Sequence, residues 1–457
     1  MENGFRDSDE TKSSISEIID LKIDILDPNY YLEVDDGEYE IECGGKIFKA
    51  NGQILFTWQP SISLQFNGYI ITEDSSTLKK EINFFKDGLP IGKCYCTSIK
   101  LLPQSYVSIS LKFFGHTILG DEELTVDEVY FSIPNLIELF GSRVNIIGNS
   151  KKIRSINSRL KFEFKNLIIE IDRLPDYQER KKMLEAVGGY HLLYAGRITS
   201  KKGVISSSEL ANLKNYLFRF LSFINGFWTG PLFYSGLQKG VKRWTDYTAY
   251  QYDSYKTTPS WIVNYYPNIN ALFTEFSSKL EEGKSQKFLI NILHWYIEAN
   301  KLSGAVEGAI IMLQTALEYV FNFWIVEEGK LLFAGNDVKN LYASNKIRLI
   351  LAQINFPLEI PSELYNTHQF LKDNNLNNYD GPRLITDVRN KIIHSSSEDN
   401  RNNVEYTSGV LLEVHKLSIT YLELSILKYL NYQNSYRDRF NGYNSFKPVP
   451  WNKNSMI

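Results

Sequence analysis

The chain has 457 residues, 43% hydrophobic and 14% aromatic, enough for two or three domains with real cores. A formal charge of −3 and a pI near 6.2 exclude a protein that coats nucleic acid by charge alone, so any nucleic-acid contact must be local. Cys43, Cys94 and Cys96 are too few and too irregular for a disulfide framework, and Cys94-x-Cys96 has no histidine at zinc-ligand spacing. They read as reduced thiols, with no metal and no other cofactor expected.

Residues 1–17 are charged and Ser-rich, without the apolar run of a signal peptide, and read as a disordered tail. No segment reads as an unbroken apolar membrane span, so the expectation is a cytoplasmic protein without a membrane partner. Residues 18–193 carry the alternation of half-buried strands. Val107, Ile109, Leu111 and Phe113 interleave with Ser108, Ser110 and Lys112, and Leu160, Phe162 and Phe164 interleave with Arg159, Lys161 and Glu163. Shorter β-rich runs at 38–41, 54–58, 63–71 and 129–133 are punctuated by Asp35-Asp36-Gly37 and Asp87-Gly88-Leu89-Pro90. Such spacing predicts an antiparallel sandwich or barrel. His116 and His191 stand alone there and read as structural.

Residues 194–282 read as a mixed extension of this β-rich domain. Leu213, Leu217, Phe220, Leu221 and Ile224 form a helical stripe, followed by Gly226-Phe227-Trp228-Thr229-Gly230-Pro231 and Pro259-Ser260-Trp261. Lys239, Lys242 and Arg243 beside Trp244 have the chemistry to hold a phosphate and stack a base. The plainer reading makes the tryptophans core and the cations a solvated edge.

Residues 283–433 carry long helical patterns and read as an all-α bundle of about five helices. Helices are predicted over 287–301, onward to about 326, and near 337–352, 384–394 and 404–432. The second, apolar nearly all round, is expected at the centre. Glu307, Gln314, Glu318 and Asn322 trace a narrow polar row along it, and Glu318 is the residue placed to orient a nearby arginine. Residues 357–380 read as a loop with one short helix. Residues 434–457 read as an aromatic, polar tail.

The sharpest signal is Arg389-Asn390-Lys391-Ile392-Ile393-His394. It joins a fixed cation, a carboxamide and a side chain that exchanges protons near neutral pH. Residue frequencies put a chance match at this fixed spacing at roughly one or two in a hundred, so the motif carries weight that none of its residues has alone. Leu384, Ile385, Val388 and Ile392 recur at helical spacing and bury one face. Asn390 and His394 then share the opposite face, while Arg389 lies roughly 140° from His394. One helix cannot close both ends on one small group unless Arg389 reaches around Ile393 or a second copy crosses a two-fold axis.

The motif resembles the Arg-Asn-x-x-x-His signature of HEPN domains, helical bundles found in prokaryotic RNases of toxin and antiviral systems. Ala309–Tyr319 and Asn345–Leu351 are similar to the branch called ApeA-like HEPN. The resemblance implies an α+β protein whose antiparallel β-rich N-terminal domain precedes an all-α HEPN-like bundle. It implies an RNA substrate, a homodimer joined through the bundle, and metal-independent cleavage by the 2′-hydroxyl to a 2′,3′-cyclic phosphate. In that scheme His394 transfers protons, Arg389 binds phosphoryl oxygens and Asn390 positions the phosphate or the imidazole ring. An unrestrained RNase would harm its own cell, so residues 1–282 are read as the sensor of a phage-derived trigger in antiviral defence. The alternatives are a catalytically silent HEPN module that binds nucleotide or RNA, and an interaction protein whose bundle only dimerises.

Overall fold

The computed structural model describes residues 15–72, 78, 81–103, 105–147, 153–257, 260–262, 269–302, 305–332, 335–393, 405–442 and 445–452. The chain divides into two compact units. One is Met1–Asn212 with Pro231–Tyr250 and Asn264–Ile269; the other is Leu213–Gly230 with Gln251–Val263 and Asn270–Ile457.

The first unit opens with β1 (Leu32–Cys43), β2 (Lys46–Thr57), β3 (Ser63–Ile71), β4 (Ile82–Lys86), β5 (Leu89–Leu101) and β6 (Tyr106–Gly120). Their antiparallel pairings run β1–β2–β3–β6–β5–β4 and return to β1, which closes a six-stranded barrel. The expected alternation explains the closure: Val107, Ile109, Leu111 and Phe113 of β6 are buried, as are Phe56, Phe66 and Phe84 of the other strands. Gly52 and Gly68 face each other across β2 and β3, where an added Cβ would meet backbone at 2.3 Å. Only glycine lets those strands approach so closely.

The last residues of β6, Ile118–Gly120, leave the barrel and pair with a second sheet. It comprises β7 (Glu128–Pro134), β8 (Ser142–Ile147), β9 (Ile153–Phe164), β10 (Leu167–Arg173), β11 (Leu192–Ser200), β12 (Leu232–Gln238) and β13 (Val241–Asp246), in the order β13-β12-β7-β11-β10-β9-β8. Helix α1 (Tyr177–Val187) packs near β11, and α2 (Ser207–Asn225) follows. The structure divides the chain differently from the sequence reading at two places. β11 runs through the boundary expected at 193, and the hairpin β12–β13 extends the sheet into the Gly/Trp-rich stretch. Leu232, Phe233, Tyr234 and Ser235 are all buried, so β12 is covered on both faces and shows no alternation to read. Trp244 is buried, and the missing side chain of Gly236 leaves room for its ring; a Cβ there would lie 2.3 Å from it. Trp244 is therefore core, with Lys242 and Arg243 exposed beside it.

The second unit holds α3 (Ile269–Glu281), α4 (Gly283–Asn300), α5 (Ala305–Val320), π1 (Phe321–Glu328), α6 (Asn336–Lys339), α7 (Ala343–Gln353), α8 (Tyr365–Asp373), α9 (Gly381–Ile393) and α10 (Ser408–Tyr429). α5 packs against α4, α7, α9 and α10, as its wide apolar stripe predicts. The most enclosed helix is nevertheless α10, with 17 of its 22 residues buried. Its hydroxyls make this possible: Ser418, Thr420 and Ser425 each donate to the carbonyl one turn back at 2.7 Å, so small polar residues enter the core satisfied. The expected C-terminal tail is also structured, forming β14 (Ser435–Arg437) and β15 (Phe446–Pro448) and burying Tyr436, Val449 and Trp451. The helical run Ala305–Glu328 is long and apolar enough to match a membrane span, contrary to expectation, but 56% of its most apolar window is buried inside the protein.

Candidate functional site

Helix α9 carries the motif, and its start is fixed from three sides. Asp380 accepts from the backbone N of Arg383 at 2.9 Å, which caps the helix. The same carboxylate takes both ends of the Arg348 guanidinium, at 2.7 and 2.9 Å, and ties α9 to α7. Gly381 stands where a Cβ would lie 2.2 Å from the Tyr421 hydroxyl of α10, and Pro382 occupies the first turn, where its missing N–H costs nothing. Leu384, Ile385 and Val388 are then fully buried, so the rotation of α9 about its axis is set by packing.

That rotation leaves Arg389 half-buried and Asn390 exposed. Arg389 Nη1 donates to Asn390 Oδ1 at 3.2 Å, while its Nε is buried without a hydrogen-bond partner. Asn390 turns its carbonyl toward the guanidinium, which leaves its NH₂ group to donate to whatever approaches. Three arginines of this unit face carboxylates, whereas Arg219, like Arg389, faces a carboxamide. Arg348 pairs with Asp380, Arg383 with Asp387 at 3.7 Å, and Arg439 with Glu423 at 2.6 Å. Arg389 has a carboxamide in that place. Among the described residues Arg389 thus has no carboxylate partner, and its buried Nε–H has no acceptor.

His394 lies outside the described residues, so the structure defines two of the three motif positions. Glu318 is not brought to Arg389: its carboxylate accepts from Lys346 Nζ at 2.9 Å and from Gln314 Nε2 at 3.3 Å. A cation on α7 has claimed it. Sequence reasoning also missed a group on the first half of α9, where the Arg383 guanidinium stacks on the Tyr379 ring at 4.2 Å and pairs with Asp387. Burial, and then a hydrogen bond to Asp387, push the Tyr379 hydroxyl up from its ordinary value. Only the i, i+4 spacing of Arg383 and Asp387 signals this group in the sequence. Among the described residues no three His, Cys, Asp or Glu side chains converge as metal ligands.

Two family profiles match the chain: the YopA central domain over residues 121–258 and the YopA C-terminal domain over residues 282–449. The second of these contains the whole of α9. The chain is also similar to the SPbeta prophage-derived uncharacterized protein YopA of Bacillus subtilis strain 168, 27% identical over 432 residues that cover 92% of this chain and 93% of that protein. No solved structure matches.

Proposed function

We propose that this protein is a HEPN-type, metal-independent endoribonuclease. The observation that carries the reading is the Arg389–Asn390 pair: a half-buried guanidinium without a carboxylate among the described residues, beside the exposed Asn390 amide, on a helix whose other face is packed. The resemblance around 389–394 supplies the third group, His394.

RNA carries its own nucleophile. The 2′-oxygen loses its proton to a base and bonds to phosphorus, the P–O5′ bond breaks, and the departing 5′-oxygen takes up a proton. The products are a 2′,3′-cyclic phosphate and a 5′-hydroxyl. His394 serves in proton transfer, and Arg389 and the Asn390 amide bind the phosphoryl oxygens as charge builds on them. The spacing read from the sequence separates positions 389 and 394 by roughly 140°, and on that basis the active form pairs two copies of the motif in a homodimer. The first unit, with its closed barrel, serves as the sensor of a phage-derived trigger, and the prophage origin of the Bacillus relative accords with a role in contests between phages.

The test is cleavage of total RNA by purified protein, in the presence of a chelator, beside Arg389→Ala and His394→Ala. Wild type yields cyclic-phosphate ends and both variants, equally well folded, lose them. Cleavage undiminished in His394→Ala removes the catalytic assignment. RNA binding without cleavage in wild type leaves the module as a silent binder.

A further inference from the structure

A second site of different chemistry lies within the helical unit. Phe218 and Trp228 stack with their rings 5.8 Å apart and 1° from parallel, and His294 continues the stack on Trp228 at 6.3 Å. Trp295 stands beside His294 at 6.0 Å. These rings line an open cleft of about 530 Å³, together with Arg219 and Asn291. Clefts of this size accept ligands of drug or cofactor dimensions. Both π-rich walls and volume fit a planar ring system.

The polar groups narrow the choice. None of the described residues lining the cleft is acidic. Two carboxylates that contact Trp228 are already engaged: Asp253 accepts from its backbone N and Glu298 from its Nε1, each at 2.9 Å. Lys301 Nζ neutralises both, at 3.0 and 2.9 Å. Arg219 donates from Nε to the amide oxygen of Asn215 at 2.9 Å, and burial pushes its guanidinium down from the ordinary value. A half-buried cation facing a cleft that lacks acidic residues attracts an anion from solution. Asn291 donates to the Tyr319 hydroxyl at 3.3 Å, which leaves its carbonyl free to accept from a ligand N–H.

We propose that this cleft binds a mononucleotide, with the base stacked on the half-buried Trp295 ring, which stands at 63° to His294, and the phosphate held by Arg219. Stacking accepts any base, because each presents a π-face, and the guanidinium supplies the bidentate fork that a phosphate matches. The site is independent of the Arg389 reading and stands if that reading falls.

The experiment is calorimetric titration of the full-length protein with AMP, GMP, CMP and UMP, with adenosine and inorganic phosphate as part-ligands. At least one mononucleotide binds, more tightly than either part-ligand. Arg219→Met weakens the nucleotide by about tenfold and leaves adenosine unchanged, whereas Trp295→Ala weakens both. Thermal melts report whether each variant folds. If Arg219→Met does not fold, Asn291→Asp, which places an anion in the cleft, gives the same loss for the nucleotide. Failure of all four nucleotides to bind at millimolar concentration overturns the proposal, as does binding that none of the folded variants weakens.

Discussion

At the scale of single residues, two buried histidines are the informative groups. His191 is buried in the first unit with neither ring nitrogen hydrogen-bonded. Burial, and then the nearby Arg180 cation, push its imidazole down to about 4. His415, inside α10, is pushed down to about 4 by burial although its Nε2–H donates to the Ala299 carbonyl at 3.0 Å. Both rings are neutral in the folded protein. Between the ordinary value of 6.5 and about 4 the unfolded chain takes up protons that the folded one refuses. Stability is therefore complete above that window and falls as the pH drops through it, by an amount on the order of 3 kcal/mol for each histidine. Urea midpoints measured from pH 7 to pH 4 should show the decline, and His191→Phe should flatten part of it. An unchanged slope in that variant would falsify the assignment to His191. None of this was legible beforehand, since a lone histidine in a sequence carries no sign of its burial.

At the scale of elements, the C-terminal segment is the clearest gain over the sequence. Arg439 reaches into the helical unit and grips Glu423 of α10 through two bonds, Nε to Oε2 at 2.8 Å and Nη2 to Oε1 at 2.6 Å. Tyr296 of α4 donates to the same carboxylate at 3.0 Å, and Arg439 also donates to Asn300 Oδ1 at 2.9 Å. Glu423 is fully buried, so Arg439→Ala strands a carboxylate in the core and should cost about 3–5 kcal/mol. The double change Arg439→Met with Glu423→Gln should cost less than Arg439→Ala alone. Equal denaturation midpoints for Arg439→Ala and wild type would show that the network is relaxed in solution. The elements that sequence patterning did capture are those with one wet face: the alternating strands β6 and β9 and the amphipathic helix α9 with its stripe of Leu384, Ile385 and Val388. Those it missed, β12 and the central place of α10, are covered all round and carry no periodicity. The motif residues were legible as a spacing, but the partner of Glu318 was not, because it depends on where α7 places Lys346.

At the scale of the whole molecule, the two units are not consecutive stretches of chain. The helical unit takes in Leu213–Gly230 and Gln251–Val263 as well as everything from Asn270 onward. Phe220 of α2 packs edge-on against Phe273 and Phe276, and Phe223 contacts Trp261 and Tyr296. A fragment beginning at Gly283 keeps α9 but removes Phe220, Phe223, Trp261 and α3 from that core. We expect it to melt without cooperativity, where full-length protein melts sharply, and a sharp melt of the fragment would refute this division of the chain. Restraint of the proposed RNase by the first unit is therefore better tested by substitutions within the barrel than by truncation.

The interleaving of the units has a consequence for the order of events during synthesis. Domains generally fold as units while the chain emerges, the N-terminal one first. The barrel, complete at Gly120, can close early. The helical core must wait: α2 leaves the ribosome long before α10, and Glu423 has no counter-charge until Arg439 has been made. The proposed catalytic helix packs on α10, which follows it in the chain, so a nascent or prematurely ended chain that lacks α10 would carry the Arg389 motif without part of the scaffold that holds it in place.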